Sequence, residues 1–208
     1  MNADQLLDLA PVIPVVVLDD AGTAVPLARA LVAGGLPVIE VTLRTSAALP
    51  AIERIVAEVP DAIVGAGTVV RPRDAERAAA AGSKFLVSPG CTATLREAMT
   101  GTGLPFLPGV SSASEAIALL EHDVTAMKFF PAEAAGGLPY LKSLGGPLPQ
   151  IRFCPTGGIT ADTAARYLRL PNVGCVGGTW LTPADAVRAQ AWDRVEALAK
   201  DAAALKAP

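Results

Sequence analysis

Between Val12 and Val176 the chain repeats one pattern. A short run rich in Val, Ile, Leu or Phe is followed by an Ala-rich stretch with apolar residues at helical spacing, and then by the next run. The two periods differ, two residues against about 3.6, so each run reads as a strand and each stretch as a helix. Strands are predicted at 13–18, 38–42, 62–65, 85–87, 106–107, 126–129, 151–154 and 173–176. Helices are predicted at 23–33, 47–58, 74–81, 92–99, 113–120, 138–144 and 161–168, with a last one after Pro183. Gly34, Gly82 and Gly145 stand where helices should stop, and Ser112 opens S-A-S-E, a possible capping box.

Eight strands alternating with helices define an α/β fold, and the expected architecture is a (β/α)8 TIM barrel. An open doubly wound sheet shows the same alternation; the glycine loops described below favour closure. An extra N-terminal helix at 3–9 is expected to plug the end of the barrel where the strands begin. No linker or low-complexity tract interrupts the repeat, so residues 1–208 read as a single domain.

Composition removes several classes of function. The net charge is −3, there is no basic block and aromatics are only 4%, so neither a phosphate-backbone groove nor a base-stacking platform is expected and nucleic acid is not a partner. The longest apolar run, 12–18, is broken by Pro14 and falls far short of the roughly 20 residues of a membrane span. No Lys or Arg precedes it, which argues against a secretory signal and for the cytoplasm. Cys91, Cys154 and Cys175 are odd in number and widely spaced, so they read as reduced thiols.

Two charges interrupt apolar strands. In Val38-Ile39-Glu40-Val41-Thr42-Leu43, alternation gives Ile39, Val41 and Leu43 to the helices and turns Glu40 inward with Val38 and Thr42. In Ala126-Met127-Lys128-Phe129-Phe130, Lys128 likewise shares the inner face with Ala126 and Phe130. A buried carboxylate needs a partner or a substrate, and buried lysine is rare. A desolvated lysine amine attacks ketones and forms an iminium that accepts electrons, the chemistry of class I aldolases. A structural Glu40–Lys128 ion pair without chemistry is the plain alternative.

Glycines cluster at the ends of the seventh and eighth strands, in Thr156-Gly157-Gly158-Ile159 and Gly177-Gly178-Thr179-Trp180. Those loops most often hold phosphate in barrels, because glycine lets backbone N–H groups approach an anion and a following helix adds its positive end. Tight turns alone would also use glycine pairs. Gly65-Ala66-Gly67-Thr68 is expected just after the third strand, with Thr68 at the mouth, and Ser88-Pro89-Gly90 ends the fourth.

These blocks, together with Glu40-Val41-Thr42-Leu43-Arg44-Thr45, Lys128-Phe129-Phe130-Pro131-Ala132-Glu133 and Arg152-Phe153-Cys154-Pro155, resemble the 2-keto-3-deoxy-6-phosphogluconate (KDPG) and 4-hydroxy-2-oxoglutarate (KHG) aldolase family over nearly the whole chain. The resemblance implies Lys128 as the Schiff-base residue, Glu40 as the acid/base, and Arg44 with Thr68 as the pocket for the pyruvate-end carboxylate. It places Pro89, Phe130 and Thr156 against substrate, Thr156 at the carbon that sets stereochemistry. Gly157, Gly158, Gly178 and Thr179 would hold phosphate.

It further implies a phosphorylated keto acid and pyruvate as small-molecule partners, no cofactor, no metal and a homotrimer. Two departures stand out: Thr179 replaces a common Ser, and the first strand ends in Val17-Leu18-Asp19 where some relatives carry Arg. The one histidine, His122, lies between Glu121 and Asp123 at a predicted turn. A multi-imidazole metal site of the class II aldolase kind therefore cannot be assembled, while an all-carboxylate Mg²⁺ site stays open. Rival readings are an aldolase for another keto acid and a phosphosugar-binding barrel without lyase activity.

Overall fold

The computed structural model describes residues 1–205; the last three residues of the predicted domain lie outside the described residues. Helix α1 (Ala3–Asp8) leads into β1 (Val12–Val16), α2 (Ala24–Ala33), β2 (Val38–Thr42), α3 (Ala48–Glu58), β3 (Ile63–Gly67) and α4 (Pro72–Ala80). Next come β4 (Leu86–Val87), α5 (Ala93–Gly101), β5 (Phe106–Leu107), β6 (Gly109–Val110), α6 (Ala113–Leu120), β7 (Ala126–Phe129) and α7 (Gly137–Leu144). The chain then runs through β8 (Arg152–Pro155), α8 (Ala161–Leu168), β9 (Val176–Gly178), α9 (Ala184–Arg188) and α10 (Trp192–Ala203).

The result is an α/β fold of parallel strands. One sheet has the order β5-β4-β3-β2-β1-β9 and the other β6-β7-β8. All strand pairs are parallel, as helical crossovers require. Strands β5 and β6 flank Pro108, whose missing N–H interrupts a ladder there; the predicted fifth strand, 106–107, is β5 alone. Bridges Thr156↔Gly177 and Phe153↔Val173 tie the second sheet back to the end of the first.

Strand alternation sorts the apolar side chains into two clusters. Ile39, Val41, Met127 and Phe129 belong to the outer one, packed under the helices, as the predicted face assignment requires. Val38, Phe85, Ala126, Cys154 and Cys175 belong to the inner one, where Leu6 and Leu7 of α1 join them fully buried. Asn2 and Gln5 start α1 with a reciprocal cap, each side chain accepting the other's backbone N–H at 2.8 Å.

Two strands are misplaced in the sequence reading. The third extends to Gly67 rather than ending at Gly65, so the glycines read as a loop lie within it. A β-carbon on Gly65 would stand 2.5 Å from the Phe85 ring, which fills that space instead. The last strand is Val176–Gly178, not 173–176; Val173 makes only a lone bridge, and the glycine pair read as a loop ends the strand.

Ser112 forms the expected capping box, and Glu115 also accepts from Ser111 N–H at 2.7 Å, pinning the segment after β6. The backbone N–H of Ser111 is the main cause that holds the Glu115 carboxyl below its ordinary 4.5, with the two serine hydroxyls assisting. A lowered folded-state pKa stabilises only where the carboxyl is ionised. Glu115→Gln is therefore expected to lower Tm at pH 7. The deficit should shrink as pH falls below 4.5 and disappear once wild-type Glu115 is protonated, as thermal melts across pH 3 to 7 would show.

Candidate active site

Strands β2 and β7 are not neighbours, yet their inward charges meet. The Lys128 ammonium donates to both Glu40 oxygens, at 3.0 and 3.3 Å, with the two residues only 5% and 3% exposed. Gly67 on β3 makes this possible: a β-carbon there would collide with the Glu40 carboxylate. The Lys128 Nζ also lies 5.4 Å from the centre of the Phe130 ring, within cation–π range.

The pair forms the floor of a cavity of about 340 Å³ at the carboxyl ends of the strands. Arg44 and Thr68 line one side, exposed and half-buried respectively. None of the ion pairs among the described residues uses the Arg44 guanidinium. Thr68 has φ +58°, left-handed backbone that β-branched residues seldom adopt and that costs of order 1–3 kcal/mol where it is enforced. That strain lies in the cleft wall.

On the other side stand Phe130, Thr156, Gly157, Gly158 and Thr179. The N–H groups of Gly158, Ile159 and Thr179 donate to no protein acceptor among the described residues, although Ile159 is buried. Helix α8 begins two residues after Ile159, with Thr160 as its N-cap. Unpaired donors, a helix start and a free guanidinium at opposite ends of one cavity suit a ligand with an anion at each end.

Two of the sequence candidates do not line the cavity. Pro89 is outside the cavity wall; its carbonyl packs against Gly109, and neighbouring Ser88 is fully buried with its hydroxyl accepting from Gly109 N–H at 3.3 Å. Gly178 is also absent from the wall, because strand alternation turns its missing side chain toward Trp180 and gives the inner position to Gly177. A β-carbon on Gly177 would strike the Thr156 hydroxyl.

Val15, Thr42, Ile159 and Gly177 line the cleft without having been singled out. Thr42 donates its hydroxyl to the Val16 carbonyl at 3.0 Å, so it fixes the β1–β2 wall rather than offering a free group. Asp19 faces an adjoining cavity of about 540 Å³ together with Arg188. His122 is exposed. Cys91 is half-buried with its thiol pushed up to about 11, by burial first and against the pull of Arg96.

A lysine-dependent aldolase is the class of protein that this fold and this buried amine–carboxylate pair define. Residues 3–198 match the model of the KDPG and KHG aldolases. The chain is 50% identical to the 2-dehydro-3-deoxy-phosphogluconate aldolase of Pseudoalteromonas atlantica, covering 98% of this chain and 95% of that protein. It is 48% identical to the KHG/KDPG aldolase of Escherichia coli over 97% and 94% of the two chains.

Among solved structures, the KDPG aldolase of Legionella pneumophila, with pyruvate captured as a covalent carbinolamine, superposes with a TM-score of 0.95 at 43% identity over 98% of both chains. The Zymomonas mobilis enzyme with 3-phosphoglycerate gives 0.92 at 48% identity, over 98% of this chain and 96% of that one. The chain belongs to the KDPG and KHG aldolase family.

Proposed function

We propose that this chain reversibly cleaves 2-dehydro-3-deoxy-6-phosphogluconate to pyruvate and D-glyceraldehyde 3-phosphate through a Schiff base on Lys128. It also takes 4-hydroxy-2-oxoglutarate, giving pyruvate and glyoxylate. The observation that carries this reading is the buried Lys128–Glu40 pair opening onto a cavity where the Arg44 guanidinium and the N–H groups of Gly158, Ile159 and Thr179 have no partner among the described residues. The relatives' names and the pyruvate carbinolamine held by the Legionella enzyme support the same chemistry.

In the cleavage direction the substrate carboxylate lies on Arg44 and Thr68, and its phosphate on the N–H groups of the Gly157–Gly158 loop with Thr179. Lys128 gives up a proton to water in the cleft, adds as the neutral amine to the C2 carbonyl, and water returns that proton to the carbinolamine hydroxyl. Loss of water from the carbinolamine leaves an iminium. Glu40 takes the C4 hydroxyl proton, the C3–C4 bond breaks, and its electron pair moves into the iminium to give an enamine while the aldehyde departs.

Glu40 then returns a proton to C3, and water hydrolyses the imine to free pyruvate and the lysine. Thr156, inward on the strand next to Lys128, stands beside the reacting carbons. Every step uses side chains of this chain and water.

The closed (β/α)8 barrel capped by α1 is part of this proposal. Its support is the Lys128–Glu40 contact between the two sheets and the Thr156↔Gly177 bridge at their junction. We place the enzyme in the cytoplasm as a single-domain homotrimer; among the described residues no helix is long and apolar enough to cross a membrane. Light scattering on the purified chain reads the trimer directly.

Turnover on a panel of keto acids tests the substrate. KDPG should give the highest kcat/KM, with pyruvate and glyceraldehyde 3-phosphate formed in equal amounts; 4-hydroxy-2-oxoglutarate should be cleaved with a higher KM, since it leaves the glycine loops empty. A better rate on an unphosphorylated six-carbon keto acid would overturn the phosphate assignment.

A further inference from the structure

The reaction leaves one hydrogen-bonded pair, a buried tyrosine on an exposed glutamate, without a task. Tyr167, fully buried on α8, donates its hydroxyl to Glu133 Oε1 at 2.6 Å. Burial first, and then Glu133 itself, hold the Tyr167 phenol well above its ordinary value, so it remains a donor at any working pH.

Glu133 touches the glycine loop in two further ways. Its N–H donates to the Gly157 carbonyl at 3.1 Å, next to a matching bond from Ala132 N–H to the Thr156 carbonyl at 2.8 Å. Its side-chain stem lies where a β-carbon of Gly158 would be, 2.7 Å away, and Gly158 has φ +81°. Only glycine fits that seat without strain.

The Glu133 carboxylate faces an outer cavity, which Arg166 also lines, and not the cleft. An acid swung toward the loop would repel a bound anion. We infer that the Glu133–Tyr167 pair is a positioning device: it ties the end of β7 to α8, clamps Gly157 and Gly158 between them, and so aims the Gly158 and Ile159 N–H groups at the phosphorylated end of the substrate. This rests on the phosphate assignment made above.

The experiment compares wild type, Tyr167→Phe, Glu133→Gln and Glu133→Ala on KDPG and on 4-hydroxy-2-oxoglutarate, with borohydride trapping of pyruvate as a third readout. Tyr167→Phe and Glu133→Ala should raise KM for KDPG about five- to tenfold, the worth of one such bond. The same variants should leave kcat, the unphosphorylated substrate and trapping within about twofold. Glu133→Gln keeps an acceptor and should retain most of the affinity.

Equal losses on both substrates, or none on KDPG, would overturn the positioning role. Glu133→Ala leaves the buried tyrosine in place, so it decides the matter even if Tyr167→Phe folds poorly. A wild type with no preference for KDPG would instead sink the phosphate assignment itself.

Discussion

Lys128→Ala is expected to abolish turnover and leave no pyruvyl adduct when the protein is mixed with pyruvate and borohydride. Borohydride reduces an imine to a stable secondary amine, so in wild type peptide mass spectrometry should find the adduct on Lys128 alone. The other described lysines have no comparable setting; Lys142, for example, ends the surface-facing last turn of α7. The substitution also strands the Glu40 carboxylate, which is only 3% exposed, and removing one member of a buried pair costs about 3–5 kcal/mol.

A fall in Tm therefore accompanies the loss of activity, and the two effects must be separated. Lys128→Met combined with Glu40→Gln removes both charges and should recover most of the thermal stability while still failing to trap pyruvate. Turnover or trapping by that stable double variant would end the Schiff-base mechanism. A wild type that traps nothing while folded would favour the structural ion pair.

Glu40→Gln is expected to split the reaction. Its amide keeps the shape and one acceptor within reach of Lys128, so pyruvate should still be trapped. It cannot take the C4 hydroxyl proton or return a proton to C3, and positioned acid–base groups contribute about 10²- to 10⁴-fold. Steady-state cleavage should fall by that factor, and exchange of the pyruvate methyl protons with deuterated solvent should slow with it. Loss of trapping with proton exchange left intact would reverse the two roles.

What the sequence makes legible here is whatever breaks a pattern. A carboxylate and an ammonium inside apolar strands stand out, and period-two alternation alone turns both inward, where they meet at 3.0 Å. Arg44, Thr68 and Phe130 are marked as site residues through the family resemblance, and all three line the same cavity. Thr42 and Val15 line the same cleft but are ordinary strand residues, so nothing in the pattern marks them.

Ile159 offers its backbone N–H, a group every residue but proline carries, so residue type cannot reveal it. Gly177 lines the cleft beside the candidate Gly178, and a glycine pair has no side chains by which the sequence could show which member faces in. Once Val176–Gly178 is the strand, alternation against Thr156 and Trp180 decides it. Pro89 does not line the cavity; its carbonyl packs against Gly109. The long third strand was hidden for a similar reason, since Gly65 and Gly67 read as loop residues although they are spaces left for Phe85 and Glu40.

The layering of the interior has an evolutionary consequence. Along β2 the inward side chains rise from Val38 to Glu40 to Thr42, and along β7 from Ala126 to Lys128 to Phe130: dry at the level of α1, reactive above it, open to ligand at the top. Inserting or deleting one residue below any of these positions would exchange inside for outside along the rest of the strand. The strands can therefore drift only by substitution. Changes of chain length, and with them new substrate preferences, are confined to the segments beyond Thr42, Gly67, Pro155 and Gly178, where the cleft meets solvent.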